Sequence, residues 1–170
     1  MHALTENQIR AGFVNASRRE VAQATLPDLS TVDWDRLDYL GWRDRRAPLS
    51  AYVVVEHGAG PVGVLLRAGD RAGAARRRTV CAWCADVVET EDVSLYVARR
   101  AGAAGRKGDT IGTLICTDFR CSRNVRRRPT RSEAGSDTSV AREAIVERRV
   151  AELRERARAF VGEVLRTAAE

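Results

Sequence analysis

The sequence predicts an α+β fold with a helical N-terminal segment, antiparallel hairpins and a long C-terminal helix. Three observations predict it. A helix-capping signature, Thr5-Glu-Asn-Gln8, stands near the start. β-branched apolar runs alternate with Gly- and Pro-containing turns through the middle of the chain. Towards the end, Val146, Val150, Leu153, Ala157, Phe160 and Val164 recur at three- and four-residue spacing, which puts them on one face of a helix.

In order along the chain, Ile9, Phe13, Ala16, Ser17 and Val21 continue the helical period from Thr5, and Leu26-Pro27 ends it. A second short helix or turn is expected over residues 31–40, with Trp34 and Leu37 as core candidates and Gly41-Trp42 as its close. Trp42 is expected in the core as well. Two strands follow, 51–56 and 62–67, joined by the Gly/Pro turn His57-Gly-Ala-Gly-Pro61. His57 has no second histidine nearby and receives no catalytic role. A second hairpin is expected from strands 93–98 and 110–116 around the loop 102–108. Residues 129–139 read as a linker or exposed loop, at the end of which Asp137 or Ser139 can cap the last helix. Its apolar seam is expected to pack on the protein's own sheet or first helix, with a coiled-coil dimer as the competing use. The division is residues 1–48 helical, 49–130 β-rich, and 131–170 linker and amphipathic helix.

The chain has 170 residues, 44% hydrophobic and 31% charged, which suits a folded domain better than a disordered one. Aromatics amount to only 5%, so a small core gains much from any covalent or metal crosslink. The N-terminus lacks the pattern of a signal peptide, and no apolar run approaches the roughly 18 residues that span a bilayer. A cytoplasmic location is therefore expected, where cysteines bind metal more readily than they form disulfides. The net charge is +6. From Arg67 to Arg131 there are 15 basic and 7 acidic residues, so this stretch nets +8 and the remainder nets −2. Acidic partners or nucleic acid are thus expected at the middle of the chain.

That middle stretch carries all four cysteines, as Cys81-x2-Cys84 and Cys116-x4-Cys121. Two short-spaced pairs suit zinc, because each spacer lets a turn aim both sulfurs at one point about 2.3 Å away. Cys81 and Cys84 enter a turn, Cys116 ends a strand, and Cys121 stands where a helix can begin. Knuckle, hairpin, helix is the order of a treble-clef zinc finger. With four thiolates the site is closed and structural, one Zn2+ per chain, and its binding energy is folding energy. A redox Cys-x-x-Cys lacks its βαβ setting. A zinc deaminase lacks its H-x-E element. No acid/base or nucleophile–base constellation accompanies the metal, so an enzyme is not expected, nor a small-molecule substrate.

The Cys-x2-Cys and Cys-x4-Cys pairs, the strand–loop–strand Leu95–Arg100 and Gly108–Cys116, and the early Phe13-Val-Asn-Ala-Ser-Arg18 resemble the elongation factor G-binding proteins. These include the FusB-type fusidic-acid resistance proteins, whose C-terminal domain is a four-cysteine treble clef. The likeness is greatest to the short actinobacterial branch known as FBP-domain proteins. The resistance proteins carry a longer helical N-terminal domain, whereas here residues 1–48 precede the first hairpin. The resemblance implies a translation-associated, ribosome-linked protein that binds elongation factor G. The competing expectation is a ribosomal RNA- or nucleic-acid-binding finger. A monomer is favoured over a homodimer. Partner contacts are expected from Trp83 in the first knuckle, from Arg99, Arg100, Arg106 and Lys107 around the hairpin loop, and from Arg76–Arg78 and Arg126, Arg127 and Arg128 flanking the finger.

Overall fold

The computed structural model describes residues 1–69, 78–89, 92–135 and 138–166. An antiparallel five-stranded sheet runs in the order β1 (Leu40–Arg43), β2 (Ser50–His57), β3 (Gly60–Ala68), β6 (Val93–Arg99), β7 (Thr110–Cys116). A two-stranded ribbon, β4 (Arg78–Val80) and β5 (Val87–Glu89), carries the first cysteine pair at its turn. Both hairpins expected from the β-branched runs are present: β2–β3 and β6–β7. Ala51 to Val55 of β2 are apolar without interruption because both faces of the strand are covered there. Ala51, Val53 and Val55 belong to the main core, while Tyr52 and Val54 face a second cluster with Ile9, Leu40, Trp42 and Leu65.

The long helix, α6 (Ser139–Leu165), lies on the main-core face. Leu153, Ala157, Phe160 and Val164 of the predicted seam are buried there, and Val161 joins them. The seam therefore serves the protein's own sheet. Its N-cap is Thr138, whose hydroxyl accepts from the Ala141 N–H. Ser139 is instead the first helical residue, and Asp137 lies outside the described residues.

The single helix expected after Thr5 is two. Capping boxes at Thr5 and Ser17 start α1 (Glu6–Ala11) and α2 (Arg18–Gln23). Between them the chain runs extended beside β3: Gly63 N–H donates to Gly12 O (2.8 Å) and Val14 N–H to Gly63 O (3.0 Å). A Cβ at residue 12 would lie 2.8 Å from Pro61 O, so only glycine admits this approach. Tertiary pairing thus overrides the helical period. β3 pairs with β6 at Arg67–Val97 and Ala68–Tyr96, and Gly69 N–H continues the seam to Leu95 O (2.8 Å). Asn15 bridges the two strands further along, donating to Leu65 O and Arg99 O (2.9 Å each) and accepting from Leu65 N–H (2.8 Å).

Other elements also depart from expectation. Residues 29–36 form two 3-10 turns, Leu29–Thr31 and Trp34–Arg36, and Gly41-Trp42 belongs to β1 instead of closing a helix. Trp42 is buried and stacks on Tyr52 at 5.0 Å; Trp34 is half-buried against the same cluster. The loop at 102–108 holds a short helix, α3 (Gly102–Arg106). The stretch expected as a linker contains α5 (Arg131–Ala134), capped by Thr130.

Candidate metal centre

β4 delivers Cys81 into a turn closed by Cys81 N–H to Asp86 O (3.1 Å) and Ala85 N–H to Cys81 O (2.9 Å). Ala85 occupies the left-handed region at φ 55°, which reverses the chain so that Cys84 comes back beside Cys81. Cys116 is the last residue of β7, and Cys121 the first of α4 (Cys121–Val125). The four residues between them turn through Phe119, again left-handed at φ 58°, with its N–H donating to Cys116 O (2.9 Å). The Phe119 ring fills the space over Gly41, where a Cβ would lie 2.6 Å from its Cγ.

These turns bring all four Sγ atoms within 4.8 Å of one another, and all four cysteines are buried. Sγ–Sγ separations are 3.7 Å for Cys81–Cys121 and 3.7 Å for Cys84–Cys116. A tetrahedron with bonds of about 2.3 Å has edges of about 3.8 Å, so the sulfurs match the zinc–thiolate dimension. Their protonation points the same way. The Cys81 thiol is pushed far down by S–H donation from Cys116, Cys121 and Cys84. Cys121 is pushed far up, first by its bond to Cys116. Without a cation, sulfurs this close cannot all be thiolates; a divalent ion removes that conflict. Asn124 Nδ2 donates to Cys116 Sγ (3.4 Å) and Cys84 Sγ (3.8 Å), the outer-layer support that orients ligands. Cys81, Cys84, Cys116 and Cys121 would thus hold one Zn2+, which supplies a crosslink between knuckle, hairpin and helix.

Trp83 does not project outward. It is 1% exposed, packs edge-on against Tyr39 at 4.8 Å and against Phe160 at 5.6 Å, and donates from Nε1 to Thr113 Oγ1 (3.2 Å). The short knuckle turns this side chain inward, onto α6, and it anchors the finger instead of touching a partner. The arginines flanking the finger divide. Arg126 makes a two-pronged pair with the buried Asp38 (2.5 and 3.1 Å), which Arg154 also reaches (2.9 Å). Arg127 pairs with Glu133 (2.8 Å) and Asp86 (3.7 Å), and Arg128 is exposed without a described partner. At the hairpin loop, Arg99 pairs with Glu20 (2.8 Å) and Arg100 bonds the Glu163 carbonyl, while Arg106 and Lys107 stand exposed and unpaired among the described residues. Arg76, Arg77 and the side chain of Arg78 lie outside the described residues.

Two anchors of the site carried no motif in the sequence. Asp38 also accepts its place from Ser122 of α4, whose Oγ takes the Asp38 N–H (3.0 Å). Tyr39 is buried against the cysteine cluster, with its hydroxyl donating to Phe119 O (3.3 Å). Only an aspartate–tyrosine pair preceding β1 marked them in the sequence, and its partners lie far along the chain.

A knuckle, an antiparallel hairpin and a helix N-terminus converging on four sulfurs define a treble-clef zinc-finger protein. The chain belongs to the family described as FBP C-terminal treble-clef zinc-finger, whose model matches residues 8–164. No curated protein and no solved structure gives a significant match. No described helix is long and apolar enough to cross a membrane.

Proposed function

We propose that this protein is a non-enzymatic binding protein whose partner is elongation factor G, acting in the cytoplasm in association with the ribosome. The observation that carries this reading is the extent of the family match: residues 8–164 take in the finger, the sheet and the packed part of α6. The metal centre supports it, since a site closed by four buried thiolates leaves no coordination position for water or substrate. Function then falls to the surface that the metal holds in shape.

The surface best suited is the outer face of the β6–β7 hairpin. Leu95 and Leu114, opposite each other in register, are both exposed, and Arg106 and Lys107 stand at the loop end of the same hairpin. An apolar centre with a cationic rim fits an acidic-rimmed protein face. The direct ribosomal RNA reading loses ground at the finger, because Arg126 and Arg127 are already paired to carboxylates. Pull-down of purified elongation factor G, with and without ribosomes, tests the proposal. The zinc-loaded chain is expected to retain the factor in at least one condition. Arg106→Glu/Lys107→Glu is expected to weaken capture about tenfold through lost charge complementarity. No complex in either condition rejects the reading.

A further inference from the structure

We propose that the β1–β2 turn and α2 form a second, RNA-binding face that the metal centre does not touch. Residues 17–25 and 43–50 carry five arginines and two carboxylates. Arg18, Arg19, Arg45 and Arg46 are exposed, and their side chains have no partner among the described residues. Both carboxylates are already committed. Asp44 is buried and accepts from Thr25 N–H (3.0 Å), Arg46 N–H (2.8 Å), Ala47 N–H (3.2 Å) and Tyr52 OH (3.2 Å). Glu20 caps α2 at Ser17 and is shared by Arg99 (2.8 Å) and Arg67 (3.6 Å). One carboxylate for two guanidiniums leaves a surplus of positive charge on this face as well.

The turn is rigid. Asp44 gathers its backbone from one side, Ser50 N–H closes it onto Ala47 O (2.7 Å), and Arg43 bonds Pro48 O (2.8 Å). The Asp44–Thr25 bond fixes α2 beside it. Guanidiniums on a fixed backbone lose little backbone entropy on binding, and their forked donors fit phosphate oxygens. The chemistry favours a polyanion over a protein. Leu49, 60% exposed at the tip, is the one large apolar side chain exposed on these two segments, too little for the apolar centre of a protein interface. It suffices to rest against a ribose or base. Arg67 and Arg99 extend the charge onto the sheet.

The inference goes beyond binding to elongation factor G and tests arginines other than those of the β6–β7 loop, so the two separate experimentally. Fluorescence anisotropy with a fluorescein-labelled RNA stem-loop, titrated with the zinc-loaded chain over a salt series, reads it. Log affinity is expected to fall linearly with log salt. Arg45→Ala/Arg46→Ala should lower affinity at least tenfold near physiological salt and reduce the slope by about 2. Arg18→Ala/Arg19→Ala should act in the same direction, whereas Arg128→Ala, beside Pro129 and the start of α6, should leave RNA affinity within about twofold. All these residues are exposed, and an unchanged melting temperature identifies each variant as folded. Retained capture of elongation factor G by Arg45→Ala/Arg46→Ala supports two separate faces; loss of both activities overturns that separation. The proposal also fails if neither arginine pair affects RNA affinity, or if polyglutamate binds this face and the RNA does not.

Discussion

At residue 41 the sheet meets the finger with no room for a side chain. Gly41 lies under the Phe119 ring, and Phe119 is held in a left-handed conformation that a bulky residue enters only under constraint. The pair couples the aim of Cys121 to the first strand of the sheet. Gly41→Ala should cost about 1–3 kcal/mol, as overpacking does, and should weaken zinc retention because Phe119 must leave its turn geometry. Denaturant unfolding and competition with a chromophoric chelator measure the two effects; loss of stability with zinc affinity unchanged would break the proposed coupling. Trp83 gives the complementary lesson. Its position inside a knuckle suggested an interface anchor, yet its burial against Tyr39 and Phe160 makes it part of the core. No property of the residue itself distinguishes the two roles. The direction of the turn does.

Among the elements, α6 divides along its length. From Leu153 to Val164 its apolar face is buried on the sheet, whereas Val140 near its start is 73% exposed. Charged residues fasten the packed half: Arg154 to Asp38, Arg156 to the Trp83 carbonyl (3.2 Å) and Arg158 to the Glu56 carbonyl (3.1 Å). Leu153→Ala should therefore destabilise by about 2–5 kcal/mol. Val140→Ala should stay within about 0.5 kcal/mol. Parallel urea titrations check the contrast, and equal costs would mean that the first turns of the helix are buried in solution. This helix was legible in the sequence, because a seam sustained over many turns survives any one misplaced residue. The N-terminal helices were legible only at their capping boxes. The break between them comes from pairing with β3, some fifty residues later, which no local window contains.

Across the whole molecule, the metal centre and the main core are one body. The four cysteines lie in the same buried cluster as Val53, Leu66, Ile115, Leu153 and Phe160. Removing zinc should consequently unfold more than the finger. Chelator treatment is expected to abolish the near-ultraviolet circular dichroism of buried Trp83 and Trp42 and to lower the melting temperature steeply, since structural zinc supplies about 10–16 kcal/mol of apparent binding energy. Re-addition of one equivalent of Zn2+ should restore both. A chelated protein that keeps its tertiary signal and melting temperature would make the metal peripheral. The charge distribution also belongs to this scale. The stretch around the cysteines nets +8, but folding pairs Arg126 and Arg99 with carboxylates from distant segments and Arg127 with Asp86 and the nearby Glu133. The unpaired guanidiniums of the β1–β2 turn and α2 come from the part of the chain whose net charge is negative.

The sequence by itself determined the four ligands of the metal centre, both large hairpins and the final helix. Each is written in a short spacing or a local period, and such patterns do not depend on what lies across the fold. Only the tertiary structure decided that the first helix is two, that Trp83 faces inward, and which arginines remain free. Those outcomes depend on residues that meet from far apart in the chain, as Gly12 meets Gly63, Trp83 meets Thr113 and Asp38 meets Arg126. A buried carboxylate captures whichever guanidinium the packing brings to it.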